Sequence, residues 1–125
     1  MTLYGCKEST GKLDFEVLRR AYEQRDAELA LILYADSAEV RMVDHNNPPS
    51  SPLELHGKEH IGEHLRDVFS REMPHRIENE VTGEDHRAAF NIACQYPDGG
   101  RVYCAAMLEV RDKIVQEVGV QAWDE

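Results

Sequence analysis

The chain has 125 residues, 42% of them hydrophobic, with 24 Asp+Glu against 14 Lys+Arg and a formal net charge of −10. That length fits a single domain with one core, and the acid excess opposes binding to nucleic-acid phosphates or to an anionic membrane surface. No apolar run approaches the roughly 20 residues of a membrane helix, and Met1–Cys6 lacks the layout of a signal peptide, so a soluble cytoplasmic protein is expected. The cysteines are Cys6, Cys94 and Cys104, with no C-x-x-C pair. Reduced, packed thiols are expected rather than a disulfide scaffold or a zinc site.

Residues 1–12 mix polar residues and glycine without a period and read as a loosely ordered tail. The domain runs over 13–125. From Asp14, a plausible N-cap, Phe15, Leu18, Ala21 and Tyr22 recur at helical spacing. A second helix is expected over Ala27–Tyr34, and Ala35-Asp36-Ser37 reads as a turn. Ala38, Val40 and Met42 then alternate as a strand. Residues 44–52 are rich in turn formers and read as a loop, and Leu53–His56 as a brief strand closed by Gly57. Lys58–Met73 reads as a third helix with Ile61, Leu65, Val68, Phe69 and Met73 on its apolar stripe, stopped by Pro74. The remainder is strand-like: His75–Thr82, Arg87–Tyr96, Val102–Val110 and Ile114–Trp123. Pro97–Gly100 and Arg111–Lys113 provide the turns. Trp123 is expected to cover one end of the last strand.

Helices followed by antiparallel hairpins indicate an α+β fold with the helices on one face of the sheet. Several strands are apolar on both faces, as with Val118 and Val120 beside Ile114. The uncovered face is expected to pair with a second copy, giving a homodimer through the outer sheet face.

The order of these elements, with Tyr22, Arg25-Asp26, the Tyr34-to-Val40 segment, the Pro-rich loop and Gly57-Lys58-Glu59-His60-Ile61 opening the third helix, resembles the nuclear transport factor 2-like, or SnoaL-like, superfamily. The resemblance spans about residues 14 to 124. It implies a cone: a curved, mixed sheet wrapped around the N-terminal helices and the third, long helix, with a pocket at the open end. Members include isomerases, cyclases, dehydratases and non-catalytic association domains, so the site must decide the function. Ketosteroid isomerases of this superfamily use a carboxylate base, with a tyrosine and a protonated aspartate stabilising the enolate. A gap-free match puts those positions on Met42, Leu18 and Ala106, so that set of groups is missing.

Other polar residues are candidates. Asp44 lies two residues beyond Met42 on the same strand face; it reads either as an acid–base group at the pocket mouth or as the cap of the turn at His45–Asn47. Glu117 and Gln121 share one face of the last strand, which the resemblance turns into the pocket. A buried Glu117 would have a raised pKa suited to acid–base work. The alternative is a solvated face or an ion pair with Arg101 or Arg111, and a bulge would exchange the faces in favour of Val118 and Val120. Tyr22 reads as a cavity hydroxyl or as core. Met42, Phe90, Ile92, Cys94, Ala106 and Leu108 read as an apolar pocket wall or as filled core. His56 is placed at the pocket entrance, and His75 and His86 at the rim. Cys94 and Cys104 are expected as cross-strand neighbours across a short hairpin. His60 and His64, at i and i+4 with Asp67 following, lack a third strong ligand, so no metal is expected, and no cofactor.

Asp44 and Glu117 are therefore the expected catalytic groups, with Tyr22, Met42, His56, Phe90, Ile92, Cys94, Ala106, Leu108 and Gln121 as ligand-binding residues. The leading reading is a small-molecule-binding domain performing cofactor-free isomerisation, cyclisation or dehydration on a small apolar substrate. The alternative is a non-catalytic ligand-sensing or association domain, and a stress-related accessory protein without a ligand is a third.

Overall fold

The structure is a computed structural model that describes residues 13–83 and 85–123, the side chain of Trp123 excepted. The tail expected over residues 1–12, with Cys6, and the covering role expected of the Trp123 side chain lie outside the described residues.

Helix α1 (Phe15–Glu23) begins where expected. The Asp14 carboxylate accepts from the N–H groups of Glu16 (3.1 Å) and Val17 (3.3 Å), which have no partner inside the helix. The helix buries Leu18, Ala21 and Tyr22. Arg25, in the left-handed region at φ 53°, turns the chain. Asp26 then caps α2 (Ala27–Leu31) through the Leu29 N–H at 3.1 Å. This second helix is shorter than the sequence pattern implied. The chain leaves it after Leu31, and strand β1 (Tyr34–Val43) starts four residues earlier than expected. Tyr34 is drawn into the sheet by parallel pairing with Ile114, so tertiary pairing overrides the local helical pattern. The expected turn at Ala35–Ser37 lies inside β1, at an irregularity between Tyr34 and Glu39.

Strand β2 (Leu53–His56) follows the Pro-rich loop, and α3 (Lys58–Phe69) buries Ile61, Gly62, Leu65 and Phe69. Helix α3 also ends early. The Ser70 hydroxyl donates to the Asp67 carbonyl at 2.7 Å, and residues 70–73 turn the chain, because the residue before a proline disfavours helical backbone. Met73 is nevertheless buried.

Strands β3 (His75–Thr82), β4 (Arg87–Gln95), β5 (Arg101–Arg111) and β6 (Lys113–Trp123) complete one sheet in the order β2-β1-β6-β5-β4-β3. β1 and β6 are parallel and every other neighbouring pair is antiparallel. The fold is α+β, with a curled, unclosed mixed sheet around the helices. Between β5 and β6 the register slips, with Val110 opposite Ile114 but Glu109 opposite Gln116. This bulge at Val115 lets both Ile114 and Glu117 face inward, three residues apart, where a regular strand would have turned one of them out. Downstream, Gly119 is buried and Val120 is exposed.

Phe90, Ala106 and Leu108 belong to the packed core. Phe90 meets Phe15 edge-on, with ring centroids 6.2 Å apart. Phe90→Ala is therefore expected to cost about 3–5 kcal/mol of folding stability, measured by urea unfolding; a loss well under 1 kcal/mol would mean that the side chain borders open space instead.

Candidate functional site

Beyond the packed core, the cone contains a cavity of about 510 Å³. The last turn of α1, one face of α3, the segment after α3 and the inner faces of the strands enclose it. Its floor is organised around Glu117. This carboxyl group is only 3% exposed and accepts a short hydrogen bond from the Tyr34 hydroxyl at Oε1. The Tyr22 side chain reaches in from α1, and its hydroxyl interacts in turn with that of Tyr34. The three side chains form a polar chain, Tyr22–Tyr34–Glu117, inside an otherwise apolar floor that includes Val40, Leu55, Ile61 and Ile92.

Burial decides the protonation of these groups. It raises the pKa of Glu117, and the Tyr34 hydrogen bond only partly opposes it. Burial first, and the neighbouring Glu117 second, raise both tyrosines well above the ordinary phenol value. Burial also pushes the Cys94 thiol up to about 11 and Cys104 to about 12. Both thiols are free and neither is activated as a nucleophile. Cys104 faces Ile92 and Cys94 faces Val102, so the two are diagonal rather than directly paired as expected.

His75, only 4% exposed, stands beside Tyr22, with ring centroids 6.2 Å apart. Its pKa is lowered by burial and then by the Arg25 and Arg71 charges, and raised in part by the Met73 carbonyl. His64 is lowered by burial and by Arg71, against Asp67 and Asp44. The mouth carries charge: Arg71 pairs with Asp67 at 2.8 Å, and Asp44, Asp98 and Arg101 also line it.

The residues singled out from sequence divide into two groups. Tyr22, Met42, Asp44, Ile92, Cys94, Glu117 and Gln121 all line the cavity. Asp44 also caps its turn, as the other reading of that residue held: its Oδ1 accepts from the Asn46 N–H (2.8 Å) and the Asn47 side-chain amide (2.9 Å). Phe90, Ala106, Leu108 and His56 do not line it. The first three are buried under α1 and its neighbours. His56 points outward, because Leu55 is the inward residue of β2, and it lies 3.3 Å from Glu54 and 3.6 Å from Glu39. His86 is exposed at φ 67° between β3 and β4. Sequence reasoning did not single out Tyr34, Arg71 or a buried His75. Tyr34 was masked by the helical pattern before it, and no local signal marks a strand-initial histidine as buried. Among the described residues no group of three His, Cys, Asp or Glu side chains is placed to hold a metal ion, and no helix is long and apolar enough to cross a membrane.

A one-ended cone with a pocket of this kind defines a class of fold, and solved structures share it. The chain superposes on an NTF2-like protein of unknown function from Mesorhizobium loti with a TM-score of 0.74 at 18% identity, covering 98% of this chain and 99% of that one. A protein from Kribbella flavida, provisionally named a ketosteroid isomerase, matches at TM-score 0.69 and 14% identity over 95% and 79% of the two chains. A computationally designed 17-OHP binder matches at 0.63 and 17% identity over 89% and 94%. The chain has the NTF2-like fold. No protein-family model and no curated protein sequence matches it.

The buried carboxyl makes stability depend on pH in a specific direction. A folded pKa raised above the unfolded value means that the contribution is fully present below the unfolded pKa and lost as pH rises through the folded one. Wild-type stability is therefore expected to fall, relative to Glu117→Gln, as pH rises from about 4 to about 8. Urea unfolding of both proteins across that range checks it. A gap independent of pH would mean that folding leaves the pKa of Glu117 unshifted.

Proposed function

We propose that this chain binds a small, mainly apolar molecule in the cone and performs cofactor-free acid–base chemistry on it, of the isomerase, cyclase or dehydratase type. The observation that carries this reading is the Tyr22–Tyr34–Glu117 chain on the cavity floor. A neutral carboxyl group in an apolar site is a proton donor; to act so, Glu117 reverses the bond it accepts from Tyr34 and donates to that hydroxyl, which passes a proton on through Tyr22 to the cavity. Asp44, at the mouth on the same face as Met42, is the second carboxylate of this reading and the proton acceptor. For a bound ketone, Asp44 takes a proton from the α-carbon, the C–H pair becomes the new C=C bond, and the phenol–carboxyl chain protonates the oxygen. The reverse steps deliver a proton to carbon. Gln121 and the apolar walls orient the substrate. The structural neighbours provisionally named as isomerases and the designed binder support a ligand-binding cone.

The test uses 2-tetralone in D2O, whose α-hydrogens exchange on enolisation. The protein is expected to accelerate exchange, and Glu117→Gln and Asp44→Asn each to reduce the acceleration by roughly 10²-fold or more. Exchange no faster than in buffer, with 2-tetralone bound, would favour the ligand-sensing alternative. Acceleration that survives both substitutions together would remove the two carboxylates from the mechanism.

Association of two copies has its own support. The outer sheet face exposes Val81 (61%), Met107 (54%), Tyr103 and Val120, with the small residues Ala89, Ala93 and Ala105 between them. Large apolar side chains grouped on one face mark an interaction surface. Small neighbours allow two sheets to approach closely in an isologous pair. The protein is proposed to be a homodimer through this face, working in the cytoplasm, where its free thiols stay reduced. Sedimentation should give a dimer for the wild type and a monomer for Met107→Lys with Val120→Lys; an unchanged dimer would place the interface elsewhere.

A further inference from the structure

The polar chain leaves one buried polar group of the cavity unused. His75 opens β3, faces the cavity beside Tyr22, and packs edge-on against Phe69, with ring centroids 5.4 Å apart. Among the described residues neither of its ring nitrogens has a hydrogen-bond partner; the Met73 carbonyl influences its charge without reaching bonding geometry. Buried polar atoms are nearly always paired, and an orphan calls for an explanation. A phenylalanine would fill the same aromatic niche between Tyr22 and Phe69 without leaving a polar atom unpaired. Two further facts bear on what the missing partner is. The ring borders the cavity with both nitrogens buried, so a ligand there meets them after a rotation of the ring or a shift of a neighbouring side chain. Its neighbours in the cavity include the Tyr22 phenol and the Cys94 thiol, the latter directly opposite His75 in the β3–β4 pair. Both are held uncharged by burial.

We propose that His75 is a ligand-recognition residue, whose ring hydrogen-bonds an uncharged hydroxyl group of the bound molecule next to Tyr22. A neutral imidazole offers one donor and one acceptor. A hydroxyl both donates and accepts, so it fits either tautomer and either direction of the adjoining phenol chain. A carboxylate accepts only, and would carry its charge into a site where burial already raises the pKa of Glu117. The burial and the nearby Arg25 and Arg71 charges hold the ring neutral, the form this recognition uses. The inference deepens the reading of the cone as a ligand site and rests on it, but not on catalysis.

The test uses three probes of one shape: 2-naphthol, 2-methylnaphthalene and 2-naphthoate. The wild type is expected to bind 2-naphthol roughly tenfold tighter than 2-methylnaphthalene, and 2-naphthoate weakest. In His75→Phe the preference for the hydroxyl should shrink to within about twofold, with 2-methylnaphthalene binding retained. The variant, freed of an unpaired polar ring, should melt a few degrees higher, about 3–6 °C. A second readout needs no variant: in wild-type protein labelled with 15N-histidine, 2-naphthol should shift the His75 ring nitrogens and 2-methylnaphthalene should not. If the probes bind but the hydroxyl preference survives His75→Phe, or the ring nitrogens stay unmoved by 2-naphthol, the His75 assignment is wrong and the ligand cavity stands. If none of the three binds, the ligand-cavity reading falls, and this assignment with it.

Discussion

A carboxyl group buried inside the cone constrains the structure around it. An ionised Glu117 would have to give up its hydration in an apolar floor, at a cost of several kcal/mol. Protonation avoids most of that cost, and the hydroxyl of Tyr34 donates to Oε1. Two backbone irregularities allow this arrangement. The bulge at Val115 turns Glu117 inward while Ile114 stays inward, and on the other side β1 takes five steps, Tyr34 to Glu39, against two steps of β6. Regular strands would give neither. The place where the ladder departs from ideality is the place where the polar chain sits.

The cavity is also graded electrically. Charged groups gather at the mouth, where Arg71, Asp67, Asp44 and Arg101 keep access to water. The floor holds groups whose charged forms burial disfavours: a carboxyl, phenols, thiols and an imidazole. In such surroundings a proton transfer creates charge where the dielectric is low, so the position of each hydrogen-bonding group matters more than it would in water. This is why a short chain of phenols has chemical weight here. A phenol at the surface would do little, whereas one linking a buried carboxyl to a cavity carries the polarity of that carboxyl outward.

Much of the fold was legible because its signals are periodic. The stripe of α1, the alternation in β4 to β6 and the turn residues at 97–100 and 111–113 each repeat over several residues. The boundaries that were missed lie where a long-range partner overrides a local pattern. Tyr34 leaves a helical run to pair with Ile114, 80 positions further along the chain, and α3 ends at Phe69 although its apolar pattern continues to Met73. The site was half legible for a related reason. Alternation identifies the inward face of a strand, which located Glu117, Gln121, Met42 and Ile92. It does not say whether an inward residue meets a helix or a hollow, and so Phe90, Ala106 and Leu108 could not be separated from the true lining. His56 was misplaced because only the register of β2 against β1 fixes Leu55 as the inward residue.

What divides the packed half of the cone from the hollow half is the length of the helices. Phe15 and Leu18, in the first two turns of α1, fill the space over Phe90 and its neighbours. Tyr22 is the α1 residue that borders the cavity, and one residue beyond it the helix ends. On the opposite side α3 supplies Ile61, His64, Leu65 and Val68 and then stops, leaving Arg71 and Met73 to bend around the opening. Beyond Tyr22 and Phe69 neither helix extends further over the sheet, and Cys94, Cys104 and His75 border the space that remains. The early end of α3 therefore has a structural consequence. A helix carried through to Met73 would project along its axis by about 1.5 Å for each added residue, roughly 6 Å in all. The chain instead turns at once into β3 and brings His75 against Phe69 and Tyr22. The same proline that ends the helical tendency thus sets where the buried imidazole stands.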